Sequence, residues 1–246
     1  QDATKTKAQV LHAGLSAIRT AAGPKTYLLG CGCPLGPAIG ILDAMRISPD
    51  TARRWRPSFK GIEWLLKNEP DLPSSRNAVH NTLTRAALHE RWWVNDPDCL
   101  LLRPGTQLSL AEIQTNASVV ALSGGSLILS DSLAELPEDR LRLASTLLPA
   151  IGKRPLVLDW FERSTPEKIR VDLEGALGKW HLIALFNWMD SPQTLTFRLT
   201  DFNLDPAVGY IGREFWLGEI NNLGGDDLPE GILTYKEVPA HGVRLL

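Results

Sequence analysis

The sequence predicts an α/β protein, a parallel sheet of β-α units followed by a small antiparallel β-region. Three observations carry this. Apolar runs that read as buried strands, at residues 26–32, 43–47, 92–94 and 119–122, are separated by stretches of helical periodicity. Their hydrophobicity is continuous and not alternating, as strands covered on both faces require. Past Lys153-Arg154-Pro155 the helical stretches stop, and short strands follow one another between Gly, Pro and Asp turns. About four parallel strands fit either an open doubly wound sheet or half of an eight-stranded barrel. The first strand-to-helix turn, Gly30-Cys31-Gly32-Cys33-Pro34, lacks the G-x-G-x-x-G phosphate cradle, and no P-loop occurs elsewhere. The expectation is therefore half of a (β/α)8 TIM barrel over residues 1–152 and an antiparallel β-domain over 153–246.

In chain order, Ala8, Leu11, Leu15 and Ile18 mark an amphipathic helix over 7–21. It follows a start with neither an initiator Met nor a signal peptide, Gln1-Asp2-Ala3-Thr4, as if cut from a longer chain. The strand at 26–32 ends in a Gly/Pro turn, and the strand at 43–47 ends before Pro49. Ser74 caps a helix that shows Val79, Leu83 and Ala87 on one face and ends near His89. The strand at 92–94 stops at Asn95-Asp96-Pro97, because proline cannot donate to a central ladder. A short helix at 110–117, a buried strand at 119–122, a Ser123-Gly124-Gly125 turn leading to the apolar residues 127–129, and a helix at 138–148 complete the first part. Strands at 180–187, 195–199, 215–217 and 242–246 make up the second.

Composition narrows the function. With 246 residues, 43% hydrophobic, the chain can bury a sizeable core. Its 26 basic and 28 acidic residues are interspersed, so no basic stripe favours a nucleic-acid partner. No apolar run approaches the roughly 20 residues that cross a bilayer, so no membrane partner is expected. Three cysteines make neither a disulfide framework nor a metal finger, which favours a reducing, cytoplasmic setting.

The candidate chemistry sits after the second strand. Arg46, Ser48 and Asp50 alternate, so an extended chain sends all three side chains to one face at the strand's end. Asp50 there suits a general acid or base, with Arg46 binding a substrate hydroxyl or carboxylate. The plainer alternative is an Arg46–Asp50 ion pair, with Asp50 capping a helix from Thr51. A nearby arginine favours the ionised carboxylate, so proton donation calls for a second acidic group, for which Asp96 and Asp98 are candidates. Asp-Pro-Asp is also an ordinary turn former. Cys31-Gly32-Cys33 lacks the further ligands a metal needs, and His80 and His89 read as packing residues. Among eight tryptophans, Trp55, Trp64, Trp92 and Trp93 fall near strand ends, where they either stack on sugar faces or fill the core.

The segments LLGCGCPLGPAIGILDAMRISPD, RNAVHNTLTRAALHERWWVNDPDCLLLR and LSGGSLILSDSL, with HLIALFNWMDSPQTL, FWLGEI and PAHGVRLL later, run in collinear order over nearly the whole chain. Together they resemble the C-terminal half of melibiase-like α-galactosidases of glycoside hydrolase family 36. The resemblance implies barrel strands five to eight, a C-terminal β-sandwich, and a retaining exo-glycosidase that releases terminal α-linked galactose through a glycosyl-aspartate. It implies that Asp50 is the acid/base, that Arg46 lines the sugar site and that Cys31 stands at a substrate-binding strand end; Asp96 is taken to line the same site. It implies no metal or organic cofactor, α-galactoside oligosaccharides as substrate, and a homo-oligomer for the intact enzyme. The family's nucleophile, in a Lys-x-Asp-Phe-type motif, has no counterpart here, and Asp2 does not match it. A carbohydrate-binding module without activity and a raffinose-synthase-type transglycosylase are the alternatives. Half a barrel also leaves sheet edges and an apolar interior open, so the isolated chain is expected to associate.

Overall fold

A computed structural model describes residues 4–176, 178–226 and 230–246 of the chain; Asp2 lies outside them. Helix α1 (Lys7–Ala22) starts at a capping box in which Thr6 and Gln9 satisfy each other's backbone N–H groups. Its Leu15 packs against a cluster formed by Ala38, Leu42, Met45 and Trp93, while Ile18 of the same apolar stripe stays largely exposed. Arg19 ties the helix down by bonding the Ile41 carbonyl and the Asp43 carboxylate.

Strands β1 (Leu29–Gly30), β2 (Ala44–Arg46) and β3 (Val94–Asp96) pair in parallel, and β4 (Cys99–Leu100) pairs in parallel with β5 (Ile128–Leu129). β3 and β4 are one chain run interrupted at Pro97 and Asp98, where Asp98 has a φ of 74°. The Ser126 N–H donates to the Asn95 carbonyl at 2.9 Å, so the run leading into β5 follows both pieces. Four parallel runs thus stand side by side among the described residues, in an open sheet edged by β1 and β5. Gly125 permits the approach of the last run, since a Cβ there would lie 2.0 Å from the Asn95 carbonyl oxygen.

Helices α2 (Leu35–Ala38), α3 (Glu63–Leu66), α4 (Ser75–Arg85), α5 (Leu110–Leu122) and α6 (Glu138–Thr146) lie between or after these runs. One sheet face, carrying Met45, Ile47 and Asn95, is completely buried. On the other, Tyr27, Leu29 and Cys31 are exposed at the β1 edge, while Ala44 and Asp96 further in are buried.

Two expectations fail here. Residues 119–122 are the last turn of α5 and not a strand. The helix is wedged between two cores, with Ile113, Ala117 and Val120 in one and Val119 and Leu122 in the other, and so is apolar nearly all round. The third strand begins at Val94, after the tryptophans and not with them. Trp93 is buried in the cluster around Met45 and meets Trp92 edge-on, at the end of the strand opposite Asp96.

The antiparallel region holds a four-stranded sheet in the order β13-β8-β7-β6, from β6 (Leu156–Val157), β7 (Lys168–Gly175), β8 (Gly178–Phe186) and β13 (Val243–Leu245). Strands β9 (Gln193–Arg198) and β12 (Ile232–Val238) pair with each other, as do β10 (Tyr210–Arg213) and β11 (Ile220–Leu223). One face of the larger sheet packs Ile183 and Leu185 against Phe197, Phe202 and Tyr235, as in a sandwich. The opposite face packs Ile169, Val171, Phe186 and Val243 against Val79, Leu83, Val119 and Trp55 of the parallel region, so one core serves both. The strand expected at 215–217 is a turn wrapped around the fully buried Glu214 carboxylate, which accepts the N–H groups of Leu217 and Leu245.

Candidate active site

The register of the parallel sheet sets the site. Gly30 lies opposite Met45 and Arg46 opposite Asp96, so Cys31, Arg46 and Asp96 come level at the C-terminal ends of three adjacent strands. Side chains at level positions leave a parallel sheet on one face. Arg46 Nε donates to Asp96 Oδ2 at 3.0 Å, Nη2 pairs with Asp98 Oδ1 at 3.2 Å, and Nη1 donates to Asp50 Oδ1 at 3.3 Å. One guanidinium therefore serves three carboxylates. Burial pulls the Arg46 pKa down, but the Asp96 hydrogen bond and the charges of Asp96 and Asp98 outweigh it, and the net shift is upward.

The buried members act as a frame. Asp96, with 1% of its side chain exposed, also accepts the Asp98 N–H at 2.9 Å. Asp98 in turn accepts the Thr51 N–H at 2.6 Å, and Ser48 Oγ donates to the Pro97 carbonyl at 3.0 Å. The Ser74 N–H donates to the Asp50 carbonyl at 3.1 Å. The backbone on both sides of Asp50 is thus fixed to neighbouring elements, while 75% of the Asp50 side chain remains exposed. No helix starts at Thr51, so the capping role proposed for Asp50 falls away; the nearby cap is Ser74, whose Oγ accepts the Asn77 N–H.

The structure brings Arg46, Asp50 and Asp96 into one bonded group and sets Cys31, with an exposed thiol, beside Arg46. Tyr27 shares the open face. Its phenol pKa is raised by burial first and then by the charges of Asp43 and Asp96. Asp98, a candidate second acidic group beside Asp96, joins as a full ion-pair partner of Arg46. The tryptophans divide: Trp92 and Trp93 lie at the other end of the sheet, Trp64 is exposed on α3, and Trp55 is a core residue stacked on His241 at 4.6 Å. Chemically, the group offers one solvent-facing carboxylate for proton transfer and a rigid arginine beside it for hydrogen bonds to hydroxyls.

A second charged group was not read from the sequence. His241, in the turn between β12 and β13, bridges Glu112 Oε1 through Nδ1 and Asp190 Oδ1 through Nε2, each at 2.8 Å. Asp190 also accepts both its bonds from Arg56 Nη2, at 2.7 and 2.8 Å, and the Arg56 bond first and the His241 bond second hold its pKa at about 2. Burial pushes the Glu112 pKa up, but the bonds from His241 and Ser109 prevail and lower it. The one local signal was the Ser109–Glu112 capping box.

Among the described residues, no cluster of His, Cys, Asp and Glu has the arrangement of a metal site, and no helix is long and apolar enough to cross a membrane. No family model matches the chain. α-Galactosidase I from Mortierella vinacea matches it with a TM-score of 0.69 at 18% identity, over 97% of this chain and 62% of that one. An α-galactosidase from Saccharomyces cerevisiae, solved with raffinose, matches with a TM-score of 0.68 at 13% identity, over 97% of this chain and 67% of that one. A GH27 β-L-arabinopyranosidase from Geobacillus stearothermophilus, in complex with arabinose, matches with a TM-score of 0.65 at 17% identity, over 100% of this chain and 55% of that one. The chain spans about 60% of the length of the Mortierella enzyme. At these identities the likeness is one of fold, and the chain shares the fold of the corresponding part of α-galactosidases.

Proposed function

We propose that this chain supplies strands five to eight of a (β/α)8 barrel, over residues 1–152, and the C-terminal β-domain, over 153–246, of a retaining α-galactosidase of the family 36 type. Asp50 protonates the leaving glycosidic oxygen and then takes a proton from the water that attacks the galactosyl-aspartate. Arg46 lines the sugar site with Asp96 and Cys31 at its side, and the nucleophile comes from a strand outside residues 1–246. The substrates are α-galactoside oligosaccharides, the intact enzyme is a homo-oligomer, and its compartment is the cytoplasm.

The observation that carries this reading is the position of Asp50, an exposed carboxylate past the C-terminal end of a parallel strand, where barrel enzymes keep their chemistry. Asp96 and Asp98 take the two shorter bonds of Arg46, which leaves an Asp50 oxygen free for a substrate. The exposed Tyr27 and Leu29 beside it suit a face that another half barrel covers.

The test is hydrolysis of p-nitrophenyl α-D-galactopyranoside by the chain alone and by the chain joined to a barrel half that carries the nucleophile strand. No turnover is expected alone. Turnover is expected in the joined form, with a fall of about 10²–10⁴-fold on Asp50→Ala. Turnover by the chain alone would overturn the placement of the nucleophile, and a joined enzyme indifferent to Asp50→Ala would overturn the acid/base role.

A further inference from the structure

Away from the Arg46 group, a cleft of about 270 Å³ opens where the two regions meet. Its walls include Trp55, Arg56, Arg76 and Val79 from the parallel region and Arg163 and Trp188 from the antiparallel region. The arginines are unequally satisfied. Arg56 is paired with Asp190, and Arg163 Nη1 with Glu167 Oε1 at 3.0 Å. Arg76, half-buried in the first turn of α4, has no carboxylate within ion-pair distance among the described residues. It reaches Asn68 Oδ1 at 3.4 Å, and Arg56 donates to that same oxygen at 3.2 Å. A neutral amide oxygen between two guanidiniums stands where a negative group would be bound far more strongly. Of the three guanidiniums that line the cleft, Arg56 and Arg163 are paired with carboxylates and Arg76 is not.

From this geometry we propose that the cleft is a binding site for a small organic anion, whose carboxylate or phosphate group is held by Arg76 and Arg163 and whose apolar side lies against Trp55 and Trp188. The volume falls just below the about 300–1,000 Å³ of drug-sized ligand pockets, so a single small molecule fits and a polymer does not. Planar guanidiniums suit both anions through paired hydrogen bonds, while Trp55 and Trp188, whose ring faces are already stacked on His241 and Phe186, offer their edges as the apolar wall. Burial, and then the neighbouring charge of Arg56, already press on the Arg76 cation, a cost that an incoming anion relieves. Because the walls come from both regions, the ligand would also clamp them together. No residue of the Arg46 group lines the cleft, so the anion site is independent of the galactosidase reading.

The test is titration of the full chain with inorganic phosphate, galacturonate and neutral galactose at constant ionic strength, followed by calorimetry and thermal unfolding. Saturable binding of phosphate or galacturonate with a rise in Tm is expected, with none for galactose; the anion that binds identifies the headgroup class. Arg76→Gln should weaken that binding about tenfold or more, while Arg142→Gln, on an exposed and remote ion pair, should leave it unchanged. Should Arg76→Gln fail to fold, Arg163→Gln gives the same readout on a side chain that is 61% exposed. No saturable binding of either anion, or binding that survives both substitutions, overturns the proposal. Asp50→Ala is expected to leave the titration unchanged, so the anion site and the galactosidase reading stand or fall separately.

Discussion

Two charged groups of this molecule each set an arginine against carboxylates and end in opposite states. In the His241 group, Glu112, His241, Asp190 and Arg56 alternate in bonding character, and each side chain is engaged by the next. In the Arg46 group one cation faces three carboxylates, two of them sequestered and one left in solvent. A group that holds shape closes upon itself, whereas a group poised for chemistry keeps a member unspent. Charge separates them as well: the Arg46 group sets three carboxylates against one cation at a strand end, as functional sites do, while the His241 group sets two carboxylates against Arg56 with His241 bonded between them.

Substitution at the centre of each group tests that contrast. The largest effect belongs to Arg46→Met, which keeps the apolar stem but strands the buried Asp96 carboxylate; a loss of about 3–5 kcal/mol is expected in urea unfolding. A loss below about 1 kcal/mol would mean that backbone donors alone sustain Asp96. His241→Ala should cost about 2 kcal/mol, since it removes two bonds to charged partners and the stack on Trp55.

Acid should act on the His241 group through Asp190. Its folded pKa of about 2 lies below the ordinary 3.8, so its contribution is complete above the unfolded value and fades as pH falls from about 4 toward 2. With 66% of the side chain exposed, solvent screening keeps that contribution under about 1 kcal/mol. Comparing wild type with Asp190→Asn at pH 6 and pH 3 reads it directly, and equal differences at both pH values would exclude the linkage. The smallest change in stability is expected for Asp50→Asn, within about 0.5 kcal/mol, because its side chain is mostly solvated. A large loss there would make Asp50 a member of the scaffold, and the contrast between the two groups would collapse.

Legibility followed the range of the contacts. Arg46 and Asp50 stood out because four residues of one strand and its loop set their spacing, and Asp96 because a proline ended its strand. The Ser74 cap was likewise readable from a single residue type in place. Residues 119–122 misled because a helix buried on both sides and a buried strand share a continuous apolar signature over four residues. β7 went unread although Ile169, Val171 and Leu173 alternate, since Arg and Asp between them resemble a solvated turn. Beyond the Ser109–Glu112 capping box nothing local announced the His241 group, whose Glu112 and His241 are 129 residues apart in sequence. Asp98, readable both as a second acidic group and as a turn former, is both, its φ of 74° and its bond to Arg46 arising from one bend.

The short run from Asp50 to Trp55 joins these two groups mechanically. Five residues, at most about 18 Å of extended chain, link the solvent-facing carboxylate to an indole buried in the core shared with the antiparallel sheet. The β-region therefore works as the abutment from which the Asp50 loop springs. Exchanging it for another domain, or trimming it, would shift the footing of Asp50 unless the Trp55 contact and the His241 turn were carried across intact.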